Sequence, residues 1–175
     1  DTAEDIFTNK IELAWKNLLE GVRNLYKVDT SNTRQFRFIL GDGGESSITV
    51  DASGRAQTYS RVHITEFAQV CAKYPLKAKE ILEGTIPAVP RNGRIDIEST
   101  AEGENSYFHD MFWEAWERGE PTHPEQFKAH FYNWFWDEDI ATTPIREVPL
   151  EFQEYQKLHN LTDQQISFYF NKYES

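Results

Sequence analysis

Glu66, in RVHITEFA (61–68), and the Ser99-Thr100-Ala101 step of GRIDIESTAEGENSYF (93–108) each stand where strand character gives way to loop. In open α/β sheets the loops over the carboxyl edge are where ligands bind. That makes 93–108 a candidate site and puts Glu66 within reach of the same edge as Ser99 and Thr100. A carboxylate placed there can polarise a water for attack on a phosphoryl group; the other reading is a strand-end glutamate in solvent. Arg55, in DASGRAQTYS (51–60), lies in a Gly- and Ser-bearing loop ahead of that strand. A guanidinium on such a loop can reach the developing charge of a phosphoryl transition state, or it can simply be solvated.

The remaining reactive residues read more plainly. WDEDI (136–140) clusters Asp137, Glu138 and Asp139, and paired carboxylates can hold magnesium or do acid–base work. Adjacent residues point in different directions, so a solvated turn is the better reading. Asp96 and Glu98 alternate on one strand face and are read as surface charge rather than as a glycosidase pair. His63 alternates with Val62 and Ile64 and has no second metal-ligating residue at a recognisable spacing. Cys71 is the lone cysteine, which rules out a disulfide framework and zinc spacing and suits a small core position.

The elements that must position these groups follow from periodicity and punctuation. Thr2 ahead of Glu4 and Asp5 is a capping pattern, and Phe7, Ile11, Ala14, Trp15, Leu18 and Leu19 then recur at helical spacing up to Gly21. RQFRFIL (34–40), the turn GDGG (41–44) and SSITV (46–50) predict a hairpin. A strand at 61–65, a short helix over 75–84 ending at Gly84 and a strand at 93–99 come next. Asn105 or Ser106 can cap a helix whose apolar stripe is Tyr107, Phe108, Met111, Phe112, Ala115 and Trp116, stopping at Gly119. FKAHFYNWFW (127–136) reads as an aromatic-rich strand. Two C-terminal helices follow; a linker-like ATTPIREVP (141–149) precedes them, and Thr162 to Gln165 forms a capping box for the second. The alternation predicts an α/β fold with a mainly parallel sheet and a helical C-terminal extension.

Composition agrees with one domain of ordinary size, since 39% of the 175 residues are hydrophobic and 14% aromatic, enough for a core. No apolar run is long enough for a transmembrane helix and no signal-peptide pattern opens the chain, so the expectation is a soluble, intracellular protein with no membrane partner. A net charge of −11 argues against a globally basic nucleic-acid footprint and leaves a local basic patch open.

Taken in order, LGDGGESSITVDASGRAQTYSRVHITEFAQ, IPAVPRNGRIDIESTAEGENSYFHDMFWEAWERG and FKAHFYNWFWDED resemble the large terminase subunit of tailed bacteriophages. Members of that family are ATP-driven motors that package DNA. DTAEDIF is similar to the helix after their second core strand, and LTDQQISFYFNKY to the segment leading out of the ATPase domain toward the nuclease domain. The middle segments carry the resemblance, because glycine, strand, EST-A-x-G and aromatic helix recur in one order.

The resemblance implies an incomplete P-loop ATPase core over residues 1–140, with residues 141–175 as linker and helices toward a nuclease domain. It implies that 61–68 is the Walker B strand and that Glu66 is the catalytic glutamate orienting the attacking water. Thr65 departs from the family pattern, standing where an acidic residue commonly helps hold magnesium through water. IESTAEG then matches the coupling motif, in which Ser99 and Thr100 sense the nucleotide phosphate. Arg55, eleven positions before Glu66, becomes an arginine-finger candidate. The implied cofactors are ATP and Mg2+. Double-stranded DNA, the portal protein and the small terminase subunit are the implied partners, in a ring homo-oligomer working in the cytoplasm of a phage- or prophage-bearing host. No GxxxxGK[ST] occurs in the sequence, and without its glycines and lysine ATP loses most of its anchoring. The expectation is a portion of the terminase ATPase domain, from a truncated, split or decayed gene, that is catalytically silent alone. The alternative is a non-catalytic acidic module that binds other packaging subunits. The residues encoded just upstream of Asp1 discriminate the two: a phosphate loop there supports the motor and a native start supports the module.

Overall fold

A computed structural model describes residues 2–32, 34–51, 58–137, 140, 143–144 and 147–173. The chain divides into two compact units, Asp1–Phe127 and Lys128–Ser175. The boundary drawn from sequence at 140/141 thus falls inside the second unit, and residues 128–140 belong with the C-terminal helices.

The first unit opens with α1 (Thr2–Ile6), a π-helical stretch Phe7–Glu12 and α2 (Leu13–Asn17). The apolar spacing predicted a helix reaching Gly21, but Leu18 turns extended at φ −64°, ψ 147° and α3 (Glu20–Arg23) restarts beyond it. Leu18 and Leu19 are consequently exposed. A strand that alternation did not announce follows, β1 (Tyr26–Ser31), whose Lys27 and Asp29 interrupt the apolar pattern. It pairs antiparallel with β2 (Gln35–Leu40), which pairs antiparallel with β3 (Glu45–Thr49). The expected hairpin is present: Gly43 takes φ 84° in its turn, and the Leu40 N–H donates to Gly44 O at 2.8 Å. Alternation in β2 turns Phe36 and Phe38 inward, where they meet Phe7 and Trp15, each at a ring separation of 5.0 Å.

The second sheet of that unit carries the candidate site. β4 (Arg61–Ile64) and β5 (Arg94–Ile97) pair in parallel, with Ile64 opposite Ile97. Between them run α4 (Phe67–Lys73), α5 (Pro75–Glu80) and a continuation through Ala88, the crossover a parallel pair requires. Phe67, Val70 and Cys71 repeat at i, i+3, i+4 and pack with Ile64, Ala78 and Ile81, partly covered by Phe108 and Met111. Fully burying a side chain such as Phe67 contributes about 1.5–3 kcal/mol.

The sheet therefore differs from the mainly parallel one expected. Among the described residues only β4 and β5 are parallel, while β1, β2 and β3 form a separate antiparallel sheet. The physical reason is connection length: β1, β2 and β3 are joined by short turns, which permit only antiparallel return.

The expected aromatic helix is α6 (Tyr107–Arg118). Ser106, not Asn105, is its cap, accepting a hydrogen bond from the His109 N–H at 3.2 Å, and Gly119 ends it at φ 77°. Its predicted stripe is only partly right: Phe108, Met111 and Ala115 face the core, whereas Trp116 is exposed.

Residues 127–133 form no strand, and in the second unit Trp134–Trp136 is a single 3-10 turn. Their aromatic alternation serves side-chain stacking instead. Trp134 stacks on Tyr169 at 5.9 Å, and Tyr169 on Tyr155 at 4.7 Å. Helices α7 (Leu150–His159) and α8 (Asp163–Tyr173) close over Phe152, Leu161 and Ile166. The capping box holds, with the Gln165 N–H donating to Thr162 Oγ1 at 3.2 Å and the Thr162 N–H donating to Gln165 Oε1 at 2.9 Å. Among the described residues no helix is long and apolar enough to cross a membrane.

Candidate functional site

The carboxyl ends of β4 and β5 lie side by side because the two strands are parallel and in register through Ile64 and Ile97. Thr65 and Glu66 leave β4 there, and Glu98, Ser99 and Thr100 leave β5. Backbone hydrogen bonds continue the pairing past the strands: the Glu98 N–H donates to Ile64 O at 3.0 Å, and the Phe67 N–H to Glu98 O at 3.2 Å. The Ser99 hydroxyl accepts from the Ala68 N–H at 3.1 Å, so it fastens the end of β5 to the first turn of α4. Thr100 Oγ1 donates to Glu66 Oε2 at 3.5 Å, a long contact that joins the two exposed side chains.

Glu66 itself has left-handed backbone, φ 53° and ψ 39°. Asn105 and Asn160 share that region, which asparagine tolerates through local hydrogen bonding, but glutamate has no such compensation. Such a residue stores about 1–2 kcal/mol and persists where the surroundings over-determine it. Here the surroundings are the Glu98 and Ser99 bonds to Phe67 and Ala68, which hold the start of α4 in place.

Of the sequence-derived site residues, Glu66, Thr65, Ser99 and Thr100 therefore share one edge, and Glu66 and Thr100 touch. Arg55 lies outside the described residues, as do Glu138 and Asp139 of the acidic cluster. Asp96 is claimed by Arg94, whose guanidinium reaches both carboxylate oxygens at 2.8–2.9 Å and holds the carboxyl below its ordinary range. His63 Nε2 stands 3.8 Å from Glu98 Oε1 on the same solvent-facing side of the pair. Cys71 is buried, and burial pushes its thiol up, which makes it a poor nucleophile. What sequence reasoning missed is α4, although Phe67, Val70 and Cys71 at helical spacing directly after Glu66 announce it.

Whether these residues suit Mg2+ and ATP is a question of donor chemistry. One carboxylate and three hydroxyls are hard oxygen groups, suited to a positioned water, a hydrated magnesium ion or a terminal phosphate. Among the described residues no cluster of three or more His, Cys, Asp or Glu could enclose a metal by itself. The first two amides of α4, Phe67 N–H and Ala68 N–H, already donate within the protein and give no phosphate cradle. The edge thus offers side-chain oxygens, while the Phe67 and Ala68 amides are spent on Glu98 and Ser99.

Comparison with known protein families, with characterised proteins and with solved structures finds no match to this chain.

Proposed function

We propose that this chain supplies the Walker B and coupling-motif part of the ATPase of a phage DNA-packaging motor, the large terminase subunit. One observation carries the reading: Glu66 and Thr100 meet at 3.5 Å on the shared carboxyl edge of a parallel strand pair. In the proposed role, Glu66 holds and orients the attacking water through its charge. Thr100, in contact with that carboxylate, links its position to the end of β5 and onward to α6. Thr65 offers a hydroxyl toward hydrated magnesium. Ser99 is a positioning residue, since its oxygen is engaged with α4. The magnesium ion, when bound with ATP, would neutralise charge developing on the phosphates. The phosphate chain must be held by residues other than these, which contain no GxxxxGK[ST]. DNA, portal protein and small terminase subunit are the partners this reading carries with it.

A second reading, the non-catalytic acidic module, is favoured by a specific observation: the Ser99 hydroxyl and the first α4 amides are already satisfied within the chain. Calorimetric titration of the chain with magnesium-ATP and mutation of the complete motor together separate the two. The chain alone is expected to show no micromolar binding. In the complete motor, Glu66→Gln is expected to leave nucleotide binding near normal and to lower turnover by orders of magnitude, about the 10²–10⁴-fold of a lost general base. Unchanged hydrolysis in that variant removes the catalytic role from Glu66 and leaves the module.

A further inference from the structure

Helix α6 presents a second face that the core does not use. His109, Phe112, Trp113 and Trp116 stand at i, i+3, i+4, i+7, flanking the inward row of Phe108, Met111 and Ala115; His109 and Phe112 are half-buried, and Trp113 and Trp116 lie outermost. Their rings touch in sequence: His109 to Trp113 at 6.4 Å, Trp113 to Phe112 at 5.8 Å, and Phe112 stacked on Trp116 at 5.7 Å. Trp113 and Trp116 nevertheless stay 47% and 51% exposed. Beside them, Asp110, Glu114 and Glu117 form an acidic row at i, i+4, i+7. The first two are paired with His109 and Arg118, yet their side chains remain 71% and 79% exposed, so the negative field reaches solvent. Residues 98–120 hold seven Asp or Glu and one Arg, which concentrates negative charge around this helix.

We propose that this face of α6 is a docking surface for a cationic amphipathic helix of another protein. Exposed apolar surface rimmed by charge, as at Trp113 and Trp116, marks an interaction site, and Trp is among the residues most enriched as binding anchors. A helix laid along α6 would set its apolar side chains on Trp113 and Trp116. Its Lys and Arg would face the acidic row, with Arg able to stack over an indole. Charge complementarity selects this occupant. Nucleic-acid phosphates would meet carboxylates, and a second copy docking through the same face would oppose two acidic rows. The surface lies on a different side chain set from Glu66 and Thr100, so it holds whether or not those act on ATP.

The test uses the full 175-residue chain and three synthetic probes: an amphipathic Leu/Lys/Arg helix of about 18 residues, the same helix with Glu for Lys and Arg, and a basic peptide lacking Leu. Calorimetry is expected to detect the first probe only. Trp113→Ser/Trp116→Ser is expected to weaken it at least about tenfold, and Glu114→Gln/Glu117→Gln severalfold, with a shallower salt dependence. Equal binding of the acidic helix, or of the basic peptide lacking Leu, overturns the proposal, as does binding that neither double variant weakens. Sedimentation showing a dimer that the Trp variant abolishes replaces the partner with a second copy, and oligonucleotide binding lost in that variant replaces it with nucleic acid. Should the Trp variant unfold, the Gln variant decides alone, because Glu114 and Glu117 are exposed.

Discussion

Glu66 combines two properties at the residue scale, a carboxylate at a sheet edge and a backbone in the left-handed region. The second can be measured without substrate. Glycine pays no Cβ penalty there while alanine does, so Glu66→Gly is expected to be more stable than Glu66→Ala by about 1 kcal/mol in denaturant unfolding, a reversal of their usual order. Equal stability, or the usual order, means that the backbone is not held there. Gly93 is constrained by crowding instead. A Cβ at that position would lie 2.5 Å from Val89 Cγ1, 2.9 Å from Pro90 O and 3.0 Å from Ser60 O, and the last two are backbone. Gly93 also leads directly into β5, where the Arg94 N–H donates to Ser60 O at 3.0 Å. Gly93→Ala is therefore expected to cost about 1–3 kcal/mol and to loosen β4 against β5, seen as lost amide protection in both strands. Unaltered protection would place the strain elsewhere.

At the scale of elements, α6 joins the candidate site to the aromatic surface. It begins seven residues after Thr100, at Tyr107, and its first turn is capped by the Ser106 side chain. Ser106→Ala removes the acceptor for the His109 N–H and is expected to destabilise the fold by about 0.5–2 kcal/mol. The loss should be largest in the first turn of α6, measured by amide exchange at residues 107–110. Ser106→Asp keeps an acceptor and should recover most of it. Failure of Asp to recover stability would mean that the hydroxyl matters for something other than capping. The same helix shows why burial and amphipathicity are separate properties. Aromatic residues occupy both its inward and its outward positions, and packing decides which are core: Phe108 meets Phe67 at 6.5 Å, nearly edge-on, with Met111 beside it.

At the scale of the whole molecule, each unit closes its own apolar core. Ile64, Phe67 and Ile81 lie in one and Phe152, Leu161 and Ile166 in the other. Phe152 anchors the second, with Tyr169, Phe170 and Tyr173 all within 5.8 Å of its ring. Phe152→Ala is expected to cost that unit about 3–5 kcal/mol. Hydrogen exchange should then lose protection in α7 and α8 while β4, β5 and α4 keep theirs. Loss of protection across both units together would mean that they unfold as one cooperative body.

Sequence alone determined the local elements whose cause is local. The GDGG turn, the Gly119 stop and the Thr162–Gln165 box each depend on residues a few positions apart and stand as read, and of the two caps the sequence offered, Asn105 and Ser106, the second is used. The gathering of Glu66, Ser99 and Thr100 on one edge was also legible, because strand ends in a parallel pair must share an edge. What tertiary structure decided is everything set by a distant partner. β1 has too little alternation to declare itself and exists by pairing with β2. The aromatic run at 127–136 alternates like a strand but finds ring partners on α7 and α8 rather than a neighbouring strand. Trp116 shares the helical spacing of a core residue and lies on the open face. The same holds for the engagement of Ser99, whose hydroxyl lies thirty-one residues along the chain from the Ala68 amide it accepts. Periodicity specifies which residues share a face; only the packing of another element specifies what that face meets.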